Sequence, residues 1–215
     1  MTNVEAAVTD SPASPAVRKR PRPGERREQI LQALAAMLEQ PGAERITTAA
    51  LAARLEVSEA ALYRHFASKA QMFEGLIEFI ETSVFTLINR ITEPAADAAE
   101  QVDGVQQAQR IVVMLLQFAE RNPGMVKVMV GDALVFENER LHQRINLFFD
   151  KIEAALRQCL REGAASAGSN TPTVDAQLYS SLLGDLIRGR LLRFVRSGFK
   201  SEPTARLQDV LASVH

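Results

Sequence analysis

The stretch Ile46–Phe66, ITTAALAARLEVSEAALYRHF, constrains the chain more than any other. Thr47 is a good N-cap, because its hydroxyl can accept from a free N–H of the first helical turn. Ala50, Leu51, Ala53 and Leu55 then give a first short helix a small-residue apolar face. Glu56 and Val57 make a turn, and Ser58 caps a second helix whose inner face is Ala61, Leu62 and Phe66. Glu59, Ala60, Tyr63, Arg64 and His65 point outward, followed by Ser68 and Lys69. A helix this short does not hold itself in water and must be braced by neighbours. A short helix with a small, polar and basic outer face, braced by another short helix, is the layout of a helix-turn-helix reader of the DNA major groove.

The contacts of such a reader divide by chemistry. Ser58, Glu59 and Ala60 begin the recognition helix, where base edges are reached: Ala60 can touch a thymine methyl, and Glu59 can accept from cytosine N4 or instead cap the helix. Thr47, Thr48, Tyr63, His65 and Lys69 suit phosphates, whose contacts fix register. Arg64 can reach a base or a phosphate, or form a surface salt bridge.

The remainder of the chain reads as all-α. With 47% hydrophobic residues it can bury a core, and its net charge of −1 means that DNA must be met by a local patch. Residues 1–23 form a Pro-rich tail ending in Arg18-Lys19-Arg20-Pro21-Arg22-Pro23, either a solvated leader or a basic arm that adds phosphate contacts together with Arg26 and Arg27. A first helix, from Glu25 to Glu39, carries Ile30, Leu31, Leu34, Met37 and Leu38 at helical spacing. A long helix after Ser68 runs to Pro94 on Met72, Phe73, Leu76, Ile77, Ile80, Val84, Leu87, Ile88 and Ile91. Phe79 lies off that stripe, either packed on the first helix or kept as an interface aromatic. Residues 93–106 read as a loop, and a fifth helix runs from about Val105 to Arg121 before the stop at Asn122-Pro123-Gly124. Met125 to Phe136 reads as a short helix broken near Gly131.

The last third holds two long helices, Glu137–Glu162 and Thr171–Phe199, separated by a Gly/Ala/Ser loop at 163–170. Leu141, Ile145, Phe148 and Ile152 follow one another in steps of four and three, a heptad-like seam. These apolar faces are broad for one small domain to cover, so Leu141, Ile145, Phe148 and Ile152, with Leu182, Leu186 and Phe194, are expected to meet a second copy. Gly184 and Gly189 are expected to allow close helix approach. A homodimer would carry two recognition helices about 34–36 Å apart or a multiple, and hence read a pseudo-palindrome. The expected division is a tail (1–23), a DNA-binding domain (24–84, with its motif at 47–66) and a helical dimerisation domain (85–215).

Catalysis is not expected. His65, His142 and His215 are scattered, a single cysteine (Cys159) allows no multi-cysteine metal site, and no glycine-rich phosphate loop is present, so neither metal nor cofactor is predicted. No apolar run reaches membrane-spanning length and no signal segment opens the chain, which predicts a cytoplasmic protein without a membrane partner.

Leu51-Ala52, Val57-Ser58, Leu62-Tyr63-Arg64-His65-Phe66 and Ser68-Lys69 closely resemble the DNA-binding domain of TetR-family regulators. In that family the last two long helices of each subunit pair into a four-helix bundle, and most members release DNA on binding a small molecule. Four segments carry a narrower resemblance, to nucleoid occlusion factors of the SlmA type: Glu44–Glu81, Phe118–Met125, Gly131–Glu162 and Arg193–Lys200. That resemblance implies dimers on many chromosomal palindromes that engage the tubulin-like FtsZ and disrupt its polymers, with no small-molecule ligand. The partner face is then expected on the outer side of the fourth helix with the end of the fifth, with Phe79 as its exposed aromatic and Arg121 and Asn122 nearby, unless those two only belong to the helix stop. A ligand-responsive repressor is the alternative.

Overall fold

The computed structural model describes residues 24–40, 46–93 and 103–212; the tail and most of the expected loop after the fourth helix lie outside them. All regular structure among the described residues is helical, in nine α-helices and one 3-10 turn. Helices α1 (Glu25–Leu38), α2 (Thr48–Arg54) and α3 (Glu59–Tyr63) form the amino-terminal unit, and α4 (Lys69–Thr92) leads out of it. Then come α5 (Gly104–Arg121), α6 (Pro123–Met129), the 3-10 turn Asp132–Leu134, α7 (Glu139–Ser166), α8 (Pro172–Arg196) and α9 (Leu207–Ala212). The expected boundary at 84 falls inside α4, which passes through it as one continuous helix.

Each start is set by local chemistry. Ser68 caps α4 by accepting from Gln71 N, Asp103 caps α5 by accepting from Val105 N, and Asn138 caps α7 by accepting from Arg140 N. Pro123 and Pro172 begin α6 and α8, where the missing N–H costs nothing. The expected stop at Asn122-Pro123-Gly124 is therefore one residue wide: only Asn122 leaves the helix, its side-chain amide donating to Phe118 O at 2.8 Å.

Helix α4 is the spine of the core. Leu76, Ile77, Ile80 and Val84 are fully buried and join Ile111, Val112, Leu115 and Leu116 of α5 in one continuous cluster. Burying an aliphatic side chain of this size is worth about 1.5–3 kcal/mol. Two glycines permit the tightest approaches. A Cβ on Gly104 would lie 2.1 Å from Cys159 O, so α5 crosses α7 in near backbone contact. A Cβ on Gly124 would lie 2.0 Å from Ala35 O, and there α6 docks on α1, joining the amino-terminal unit to the remainder.

Several expectations are corrected. Leu141, Ile145, Phe148 and Ile152 are buried within the chain itself, as is Phe194, so this seam is the chain's own core and offers a second copy nothing. The reason is α5 and α8, which pack over α7 and bury its heptad face. Phe148 also stands edge-on to Phe85 and Phe149, with centroids 5.7 and 5.2 Å away. Of the predicted contact set Leu182 is exposed and Leu186 half-buried. The exposed apolar stripe is instead Val174, Leu178 and Leu182 on α8, with Leu147 on α7. The loop expected from Gly163 begins later, because α7 continues to Ser166 with Gly163 buried against Val105. Gly184 meets only the Glu153 side chain at ordinary distance, and Gly189 faces open space. On α2 the buried residues are Leu51 and Ala52, while Ala50 and Ala53 are exposed.

Candidate nucleic-acid interface

The helix-turn-helix is assembled from its caps inward. Thr47 Oγ1 accepts from Ala50 N at 3.1 Å and Ser58 Oγ from Ala61 N at 3.3 Å, so both helices start where the hydroxyls dictate. Between them Glu56 adopts a left-handed φ of 53°, which reverses the chain. Val57 N then returns to Ala52 O at 3.0 Å. Leu51, Leu62 and Phe66 bury their side chains in the cluster that holds Ile30 and Leu34 of α1 and Met72 and Phe73 of α4. Three helices thus support a recognition helix of five residues.

On the outer face, Ser58, Glu59, Ala60, Tyr63, Arg64 and His65 are all exposed, Tyr63 at 46%. Arg64 makes no side-chain hydrogen bond or ion pair among the described residues, which leaves its five donors for a ligand. Glu59 does not cap α3, a task that Ser58 performs. Its Oε2 accepts from Thr48 Oγ1 at 2.6 Å, a bond between α2 and α3 that fixes the angle of the motif and occupies both side chains.

Two further residues brace this interface. Arg27, expected to add phosphate contacts with the basic arm, lies on α1. Its guanidinium lies 4.2 Å from the Phe66 ring centroid and donates to His65 O at 3.0 Å, gripping the carboxyl end of α3. The second is Glu137, whose Oε1 lies 2.6 Å from Lys69 Nζ. Neither could be found by local pattern: the first partner is 38 residues away and the second 68.

Further along α4 the contact with α7 is also ionic. Arg144 Nε and Nη2 donate to Glu81 Oε1 and Oε2 at 3.2 and 2.6 Å, and Arg140 Nη2 lies 3.6 Å from Glu74. The hydrogen bond to Glu81 holds the Arg144 guanidinium above its ordinary pKa. Phe79 is on the outer side of α4, 42% exposed, so it does not bury itself on α1; Arg121 is exposed and Asn122 half-buried.

A ligand-responsive repressor would need a closed apolar pocket. A cleft of about 540 Å³ between α5, α7, α8 and α9 is lined by Val105, Ala108, Leu160, Tyr179, Leu183 and Leu211. It reaches the surface beside the exposed Ala167 and Gly168 at the end of α7 and is not enclosed. Among the described residues no group of His, Cys, Asp and Glu could hold a metal ion, and no helix is long and apolar enough to cross a membrane.

Comparison with known proteins covers both halves of the chain. Residues 30–76 match the family model of bacterial regulatory proteins of the tetR family, and residues 103–213 match a SlmA-like model, the tetracyclin repressor-like C-terminal domain. The nucleoid occlusion factor SlmA of Vibrio vulnificus is 54% identical over 188 residues, 87% of this chain and 92% of that protein. The protein of the same name from Aliivibrio fischeri is 50% identical over 193 residues, 89% and 95% of the two chains. Among solved structures, FadR of Bacillus subtilis in complex with stearoyl-CoA superposes with a TM-score of 0.68 at 19% identity, over 87% of this chain and 96% of that one. PfmR of Thermus thermophilus does so with a TM-score of 0.69 at 19% identity, over 86% and 96%. At that identity the likeness is one of fold.

Proposed function

The chain belongs to the nucleoid occlusion factors of the SlmA type within the TetR family, and we propose that it works as a two-fold dimer that, held on chromosomal palindromes, engages FtsZ and disrupts its polymers. Septa are then kept off unsegregated chromosome, and the protein acts in the cytoplasm on the nucleoid. The observation that carries this reading is the extent of the likeness, which covers 188 residues and includes the carboxyl-terminal half as well as the helix-turn-helix.

Each part of the reading has its residues. Tyr63, His65 and Arg64 hold the duplex by its phosphates, with Thr47 and Lys69 beside them, and Ser58 and Ala60 lie against base edges. A second copy covers Val174, Leu178 and Leu182 of α8 and Leu147 of α7; bare Gly189 lets the two backbones approach. Exposed leucines at helical spacing are what such an interface needs, since apolar burial drives most association. FtsZ is met by Phe79 on the outer side of α4 and by Arg121 and Asn122 at the end of α5. DNA restrains the amino-terminal unit against the remainder, and the partner responds to that arrangement.

The test is sedimentation of FtsZ polymers with the full-length chain, with and without a duplex that the chain has selected from a random pool. Loss of polymer only when that duplex is present supports the reading. Unchanged polymer in both conditions, with tight DNA binding, refutes it.

A further inference from the structure

The reading that Lys69 meets a phosphate leaves one conflict unresolved, because its ammonium already has an anion. Lys69 is the first residue of α4, and a cation at the positive end of a helix works against that helix. Its position is therefore explained by what it binds. Its Nζ lies 2.6 Å from Glu137 Oε1, with side chains 30% and 9% accessible, and 5.7 Å from the Phe73 ring centroid. The carboxylate is much the more buried partner, and the backbone that carries it is fixed: Glu137 N donates to Leu134 O at 2.8 Å, and the next residue, Asn138, caps α7. Glu137 thus belongs to the carboxyl-terminal half, yet it neutralises a cation one short turn beyond the recognition helix.

We propose that Glu137 and the DNA backbone compete for the Lys69 ammonium, so that phosphate binding withdraws the end contact between α4 and the start of α7. The proposal rests on the phosphate role of Lys69 and names the contact through which DNA is felt by the carboxyl-terminal half. In the free chain the pair is closed. When a phosphate arrives it becomes the second anion beside one ammonium, and the two anions repel. The phosphate is fixed by the other contacts of the interface, so the carboxylate is the group that yields. The Arg144 and Arg140 pairs with Glu81 and Glu74 then hold α4 to α7 without their outermost member. By linkage, the arrangement that lacks the Lys69–Glu137 contact binds DNA more tightly, and DNA favours that arrangement by the same factor.

The experiment measures binding of the full-length chain to a mixed-sequence duplex across a range of salt, for the parent, Glu137→Gln, Lys69→Ala and the double variant. Glu137→Gln is expected to bind several-fold more tightly at low salt, with a salt slope steeper by up to about one unit. In the Lys69→Ala background the same substitution is expected to change neither quantity, as a competition for one cation requires. An equal gain in both backgrounds would overturn the proposal, because removal of any negative charge near DNA would then explain it. No gain, or a loss, when Glu137→Gln is made in the parental chain would also overturn it. If Lys69→Ala alone leaves affinity and slope unchanged, the phosphate role of Lys69 itself has failed. Should Glu137→Gln lose helical content, Glu137→Asp serves instead: its shorter arm gives a smaller gain in the same direction, and no gain with an intact fold overturns the proposal.

Discussion

The recognition helix α3 and the long helix α7 show opposite relations between pattern and surroundings. Helix α3 spans five residues, and what announces it is local: Ser58 at its start, the turn at Glu56, and Leu62 and Phe66 beneath it. Helix α7 spans 28 residues and carries a heptad-like periodicity, yet that periodicity did not say what covers it. Its heptad-like face is buried by α5 and α8 of the same chain. An apolar stripe announces burial; whether the covering surface is internal or a second copy is decided by topology, which a stripe does not encode.

The contrast can be broken most severely at Phe148. It is fully buried against Phe85 and Phe149, so Phe148→Ala should cost about 3–5 kcal/mol of stability, read by chemical denaturation. If Phe148 were instead an interface residue, the variant would melt at a strongly concentration-dependent temperature and the monomer would stay folded. Leu178, 65% exposed on α8, should behave the other way. Leu178→Glu is expected to leave helical content unchanged while weakening self-association by about 3 kcal/mol, roughly a hundredfold, in sedimentation equilibrium. DNA affinity should fall with it, since one recognition helix replaces two. A dimer unaffected by Leu178→Glu would move the interface elsewhere.

A smaller effect is expected within the helix-turn-helix. Thr48→Val removes the bond to Glu59 and should destabilise the amino-terminal unit by about 0.5–1.5 kcal/mol, visible as faster amide exchange in α3. Unchanged exchange would show that the caps alone fix the motif. The smallest perturbation is chemical. Burial pushes the Cys159 thiol above its ordinary pKa, with Glu162 adding to the shift, so the thiolate is scarce at neutral pH. Native protein should react with iodoacetamide far more slowly than denatured protein. Equal rates would mean that the α5–α7 crossing opens readily.

How much could be read from residues alone follows the same division. The helix starts were legible, because Thr47, Ser58 and Ser68 are chemical signals that act over three residues. The core of α4 was legible from its spacing, with Leu76, Ile77, Ile80 and Val84 all buried as expected. The free choice left to Glu59 was not, because its partner Thr48 lies across the turn and competes with both expected roles. Arg27 was hidden among tail arginines, and Glu137 has no local feature that separates it from the other carboxylates of its segment. Gly104 and Gly124 looked like loop and stop residues because the demand on them comes from another helix's backbone. In each case the deciding neighbour is distant in sequence.

The central claim is that DNA and FtsZ are held by separate surfaces of one dimer. It is tested most directly by Phe79→Ala, assayed for binding to its selected duplex and for FtsZ pelleting in the presence of that duplex. Parental DNA affinity is expected, together with FtsZ polymer that pellets as if no inhibitor were present. Normal disruption of FtsZ by this DNA-bound variant would contradict it.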